Sequence, residues 1–163
     1  MHGAPPLTLF TTIARDERLA ARFFASNLLD WGHVTLRERE IVINRTTARC
    51  GSEYEWGVHV ARFAAKAGLT EAQIESLASG TCADPCWSAS ETALLEFCDA
   101  LHERANLDDD LWSRLTAIHS DEALLELIML AGYYRMVSYL TNALRLPLEP
   151  FAARFPERSV QWT

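Results

Sequence analysis

Glu55 and His59 stand four residues apart in the run Ser52-Glu53-Tyr54-Glu55-Trp56-Gly57-Val58-His59. On a helix that spacing puts a carboxylate and an imidazole on one face, within reach of a shared hydrogen bond. A carboxylate beside an imidazole fixes its tautomer and raises its basicity, as proton transfer requires. Tyr54, Trp56, Val58 and Val60 would give the pair a desolvated surround, with Tyr54 as an auxiliary candidate. A second acid, Glu40, heads Ile41-Val42-Ile43 and on a helix shares a side with Leu36, Ile43 and Thr47. Burial there without a cation would raise its pKa and make it a proton shuttle. Plainer readings stand beside each residue. Glu40 could be a solvated partner of Arg37 or Arg39, Glu55 the capping-box partner of Ser52, and His59 a satisfied core histidine. Cys50 lies just before the helix that carries this pair, where a helix dipole lowers a thiol pKa. It reads either as a lone peroxidatic or sensor thiol or as a small residue at a tight turn beside Gly51.

The elements that must position these groups are helices, with no strand alternation anywhere in the chain. Four capping boxes mark helix starts: Thr35 with Glu38, Ser52 with Glu55, Thr70 with Gln73 and Ser88 with Glu91. Gly68 and Gly80 stand where left-handed caps would end helices. The expected helices span 7–14, 16–29, 36–49, 53–67, 71–79, 89–105, 109–119 and 121–144. Residues 81–87 read as a loop. Residues 147–163 read as a tail whose Phe151, Phe155 and Trp162 pack on a neighbouring subunit or fold back on their own chain. Most helices show apolar positions at the three-to-four spacing that buries one face. The last is apolar over most of its circumference, which places it at the centre of a bundle or at a subunit interface. No shift in composition marks a second domain. The expectation is one all-α domain over 1–163, a compact bundle of about seven to eight helices with its core at about 7–146, and an oligomer.

Composition narrows the partners. Of 163 residues, 49% are apolar and 23% charged, which suits a globular domain large enough to bury its own core. The net charge of −7 repels phosphate backbones and anionic lipid headgroups, so nucleic acid and membrane surfaces are not expected partners. A local basic pocket for an acidic substrate is compatible with that sum. No apolar run reaches the roughly 18–20 residues of a bilayer span; the longest, near 124–132, is interrupted by Glu126. Residues 1–6 lack the basic start and apolar stretch of a signal peptide, so cytoplasmic residence is expected. The four cysteines (Cys50, Cys82, Cys86, Cys98) include no CxxC pair and read as reduced thiols, with a Cys82–Cys86 redox pair as the alternative. No histidine stands at zinc-ligand spacing from Cys82 or Cys86, and neither a metal nor an organic cofactor is expected. His2, His33, His102 and His119 are not placed in the chemistry.

The stretch Glu40-Ile41-Val42-Ile43-Asn44-Arg45, the Tyr54-Glu55-Trp56-Gly-Val-His59 element and the later Gly132-Tyr133-Tyr134-Arg135-Met136-Val137-Ser138 with Asn142 resemble the carboxymuconolactone decarboxylase and AhpD-like superfamily. The likeness covers roughly residues 7–146 and is nearest to members with a Tyr-Glu-Trp-x-x-His helix. It implies an all-helical fold assembled as trimers or hexamers, with the site near subunit contacts. In the AhpD branch a Glu upstream of a Cys-x-x-Cys-x-x-x-His motif relays protons to two thiols. On this chain that Glu falls at Glu40 and the histidine at His59, while the two cysteine positions fall at Ser52 and Glu55. Without sulfur at either place, the usual dithiol peroxide cycle cannot run. The decarboxylase branch lacks the dithiol and keeps a histidine. It implies a lyase that delivers a proton to carbon as carbon dioxide leaves. Glu55 and His59 would form the relay, Glu40 would be its second acid, and Arg45 would offset a substrate carboxylate or serve as a structural ion-pair partner. The first expectation is therefore an acid–base enzyme for a small carboxylated or lactone-like molecule. Two alternatives stand beside it: a peroxidase-related antioxidant protein working through Cys50, and a non-catalytic ligand-binding oligomer.

Overall fold

Among the described residues, seven of eight helices begin on a side-chain oxygen that accepts a hydrogen bond from the backbone three residues on: Asp16, Thr35, Ser52, Thr70, Ser88, Asp108 and Ser120. The computed structural model describes residues 5–26, 28–30 and 32–156. Among these the order is α1 (Thr8–Ile13), α2 (Glu17–Ala25), α3 (Leu36–Arg49), α4 (Glu53–Phe63), α5 (Glu71–Ser79), α6 (Ala89–Arg104), α7 (Asp109–Thr116) and α8 (Asp121–Ala143). The all-α architecture is thus as expected, and the capping boxes on α3, α5 and α6 are closed in both directions. Ser52 forms only half of one, because it accepts from the Glu55 N–H while the Glu55 carboxylate turns elsewhere.

Several ends differ from expectation. The α2 helix stops at Ala25, and Leu28 further on takes a left-handed φ of 51°. The α4 helix stops at Phe63, and its exit is closed by Gly68 at φ 68° with the Leu69 N–H donating to the Ala64 carbonyl. Gly80 is not a left-handed cap; its backbone is extended, and glycine is required there for room. A Cβ at Gly80 would lie 2.1 Å from the Asp84 carboxylate and 2.8 Å from the Ser76 backbone.

Helix α3 is the centre of the bundle. Eight consecutive residues, Glu40 to Thr47, are buried, so the helix is covered on every side rather than along one stripe. It packs against α4, α5, α6 and α8. Burying Arg45 at mid-helix requires full pairing. Its guanidinium donates to both oxygens of Asp99 at 2.8 and 2.7 Å, and to the carbonyls of Ser76, Leu77 and Gly80 at the end of α5.

The α8 helix, by contrast, is one-sided. Leu124, Leu127, Leu130, Tyr134 and Val137 are buried in the bundle, while Leu125, Met129, Met136 and Tyr139 are exposed. By length and composition alone, α8 could cross a membrane, which the sequence pattern did not suggest; here its inner face is core.

A second cluster, built on Leu7, Leu9, Tyr54, Val58 and Val137, fastens the α1–α2 hairpin to α4 and α8. The tail folds back over its own α4. The Ala153 N–H donates to the Gly57 carbonyl at 3.0 Å, and Phe155 stacks on Trp56 with ring centroids 4.9 Å apart. Trp162 lies outside the described residues. All four cysteines are free thiols.

Candidate active site

Helices α3 and α4 form a hairpin around Gly51, whose φ of 64° makes the tight reversal possible. The hairpin brings Glu40 on one arm opposite His59 on the other. The His59 Nδ1 lies 2.9 Å from Glu40 Oε2, and its Nε2 lies 3.5 Å from Glu55 Oε1. The tighter partner is thus the cross-helix Glu40, not the Glu55 that the four-residue spacing points to. Helical spacing brings Glu55 within reach of the imidazole, but the packing of two helices decides which contact is short.

The cluster is buried: Glu40 is 0% exposed, His59 3% and Glu55 6%. Burial by itself would lower the His59 pKa. The hydrogen bonds and negative charges of Glu40 and Glu55 outweigh it and lift the group from 6.5 to about 9. His59 therefore holds its proton at neutral pH, with both ring nitrogens committed to carboxylates. The Tyr134 ring meets the imidazole edge-on at 5.0 Å and Phe63 covers it at 5.2 Å. Two carboxylate oxygens are buried without a hydrogen-bond partner, Glu40 Oε1 and Glu55 Oε2. Arg39 approaches the first only to 3.9 Å.

Glu55 and His59 form the polar floor of a pocket of about 420 Å³. Its walls are aromatic and come from four helices: Phe10 of α1, Phe23 and Phe24 of α2, Phe63 of α4, and Tyr133 and Tyr134 of α8. Sequence reasoning did not find these walls. Only Tyr133 and Tyr134 carried a signal, as part of the run that resembles the family's last long helix.

The other expected residues lie elsewhere. Of its two readings, Arg45 adopts the ion pair, locked on Asp99 in the core. The Tyr54 hydroxyl faces away from the pocket, donating to Glu149 Oε1 at 2.5 Å and accepting from the Leu9 N–H at 3.0 Å. Glu149 also accepts from the Thr8 N–H and so caps α1, whose own N-cap residue, Leu7, makes no side-chain bond. This tie was invisible in the sequence, since 141 residues separate its ends. Cys50 sits at the far end of the hairpin, on the order of 15 Å along α3 from Glu40 at the helical rise of 1.5 Å per residue. Burial raises its thiol pKa, opposite to the lowering expected from the α4 dipole, although Arg135 and Ser138 pull the other way. Its Sγ lies 3.8 Å from His102 Nδ1. Among the described residues no group of three His, Cys, Asp or Glu is disposed to hold a metal ion.

The eight helices of the described residues, with a Glu–His–Glu cluster beside an aromatic pocket and no paired cysteines, have an AhpD-like fold. The chain belongs to the carboxymuconolactone decarboxylase family, whose model matches residues 17–100. No curated protein matches it. Among solved structures it is similar to an uncharacterized peroxidase-related protein from Silicibacter sp. TM1040, at 16% identity and a TM-score of 0.78, covering 91% of this chain and 80% of that one. It is also similar to a putative antioxidant defence protein AhpD from Agrobacterium tumefaciens, at 19% identity and a TM-score of 0.66, covering 87% and 91%. A third is the debrominase Bmp8 in complex with 2,3,4-tribromopyrrole, at 16% identity and a TM-score of 0.75, covering 88% and 77%. At these identities the likeness is one of fold.

Proposed function

We propose that this chain is an enzyme whose Glu55, His59 and Glu40 form a buried proton relay for a small organic molecule held in the aromatic pocket. One observation carries the reading: a histidine is clamped between carboxylates of two helices, and one of those carboxylates keeps an unpartnered oxygen at the pocket floor. Glu55 Oε2 is the atom that meets the substrate and takes or returns its proton. His59, protonated, neutralises part of the charge of Glu55 and orients it. Glu40 fixes the imidazole through Nδ1 and supplies a second acceptor in the dry interior. The carboxylated-lactone substrate of the decarboxylase branch fits less well, because Arg45, the cation considered for its carboxylate, is committed to Asp99. The debrominase complex supports a small aromatic as the alternative. Assembly through the exposed apolar face of α8 completes the proposal, as the family resemblance implies.

The test is solvent-deuterium exchange followed by NMR, with small aromatic and lactone candidates incubated in heavy water. The expected result is exchange or turnover that falls about 100-fold or more in both Glu55→Gln and His59→Asn. Full activity in both variants would refute the relay.

A second reading is supported by two proteins of the same fold, one peroxidase-related and one a putative antioxidant defence protein, and favours a peroxidase-related antioxidant role over decarboxylation. In it the Cys50 thiolate attacks a peroxide, giving a sulfenic acid and an alcohol or water. Two equivalents of an external thiol then return the sulfenic acid to the thiol, releasing water and a disulfide. His102 and Arg135 are the groups near Cys50 that could favour the thiolate. Thiol-dependent peroxide consumption lost in Cys50→Ser would support this reading; consumption unchanged in that variant would remove it.

A further inference from the structure

The pocket is floored by a carboxylate that has one buried oxygen with no hydrogen-bond partner. Glu55 lines the cavity, is 6% exposed, and has an Oε2 without a hydrogen-bond partner. Apart from the Tyr134 hydroxyl, which lines the same pocket, the nearby donors are committed. His59 directs Nδ1 at Glu40 and Nε2 at the other oxygen of Glu55. The Tyr133 hydroxyl donates to the Phe23 carbonyl at 3.0 Å. Arg62, at the rim, lies over the Phe151 ring at 4.5 Å, and its charge helps to hold the Glu149 pKa down against burial, so it is engaged with the tail. A donor that arrives with the ligand would complete a buried acceptor of this kind.

Charge limits what that ligand can be. Glu55 at the floor and Glu40 behind it already set two carboxylates against one imidazole, so an anionic head turned to the floor would meet like charge. The walls define the body. Phe10, Phe23, Phe63 and Tyr134 offer ring faces and edges, the surroundings in which a flat π-system gains edge-to-face and offset contacts. A cavity of about 420 Å³ lies within the range of small-molecule sites.

We infer that the molecule this pocket takes is a neutral aromatic carrying a single O–H or N–H, which it donates to Glu55 Oε2. The inference rests on the relay reading of the same pocket, since that donated proton is the one the relay would carry.

Three probes test it by calorimetry at neutral pH: β-naphthol, its methyl ether and β-naphthoate. The expected order is naphthol about tenfold or more tighter than its ether, from one hydrogen bond to a charged acceptor, and naphthoate weaker than naphthol. Glu55→Leu, which removes the acceptor at similar volume, is expected to erase the preference for naphthol while retaining the ether. Equal binding of naphthol and its ether to the unaltered protein would overturn the inference, and so would naphthoate binding tightest. That comparison needs no variant, so a poorly folded Glu55→Leu leaves it intact. Lost preference together with turnover still sensitive to His59→Asn would remove the ligand class alone. Turnover insensitive to Glu55→Gln and His59→Asn would remove the relay itself.

Discussion

Replacing Glu40 with Gln removes a charge from the relay but leaves an amide oxygen able to accept from His59 Nδ1. The native histidine is lifted from 6.5 to about 9, burial acting against the shift and the two carboxylates overcoming it. A group with a raised native pKa binds its proton more tightly when folded. Its stabilisation is therefore fully present below the unfolded pKa of 6.5, and is lost as pH rises through 9. A shift of that size corresponds to about 3 kcal/mol of pH-dependent stability. For a chain of this length that is about 6–12 °C in Tm.

In Glu40→Gln only Glu55, at 3.5 Å, remains to hold the imidazolium. Charge-assisted hydrogen bonds are roughly twice as strong as neutral ones, so about half or more of the pH-dependent span should vanish. The variant should also be less stable at pH 6.5 by about 1–3 kcal/mol, since an imidazolium is left with poorer compensation. Thermal melting of both proteins from pH 6 to 10 at fixed ionic strength measures this. The general self-repulsion of an acidic chain is nearly common to both and largely cancels in the difference. A native protein whose Tm is flat between pH 6.5 and 9.5, or a variant with the same slope, would refute the electrostatic account of the cluster.

Gly57→Ala should destabilise the fold by about 1–3 kcal/mol, because the new Cβ would sit 2.2 Å from the Ala153 carbonyl oxygen, a backbone atom that cannot swing aside. Limited proteolysis should then cut within 147–156 faster than in the native protein, and equal rates would count against the strapped tail. Met129→Lys, on the exposed face of α8, should shift the sedimenting species toward monomer with little change in helicity. An unchanged mass would remove α8 as the assembly surface.

Helix starts were legible because a cap is local chemistry: Thr35, Thr70 and Ser88 each find their partner three residues on. Helix ends were less so, because they depend on distant groups. Gly80 reads as a left-handed cap until Asp84 is seen crowding its α-carbon. The three titratable residues of the cluster could be picked out by type, spacing and resemblance. Their ranking could not, since the short Glu40–His59 contact belongs to the packing of α3 on α4 and the spacing rule sees only Glu55. The pocket walls and the Glu149 clamp were illegible for the same reason. Phe10, Phe23 and Tyr133 meet across more than a hundred residues, and no periodicity within one helix predicts which aromatic faces a cavity.

Position 55 is where the proposed chemistry turns. The family resemblance puts a thiol there in the dithiol branch, on the same helical face as His59 and one turn before it. A thiol in that place can exchange electrons with a peroxide and uses the neighbouring histidine and upstream Glu to manage its proton. A carboxylate in that place has no accessible redox chemistry, but in the proposed relay it has the same neighbours at hand: the buried imidazole and the second acid on α3. The cost of the exchange is visible in the structure as a buried carboxylate oxygen with no hydrogen-bond partner. An arrangement selected only for stability would remove such a group or give it a donor. Under the proposed relay, a proton-donating ligand would supply the missing donor.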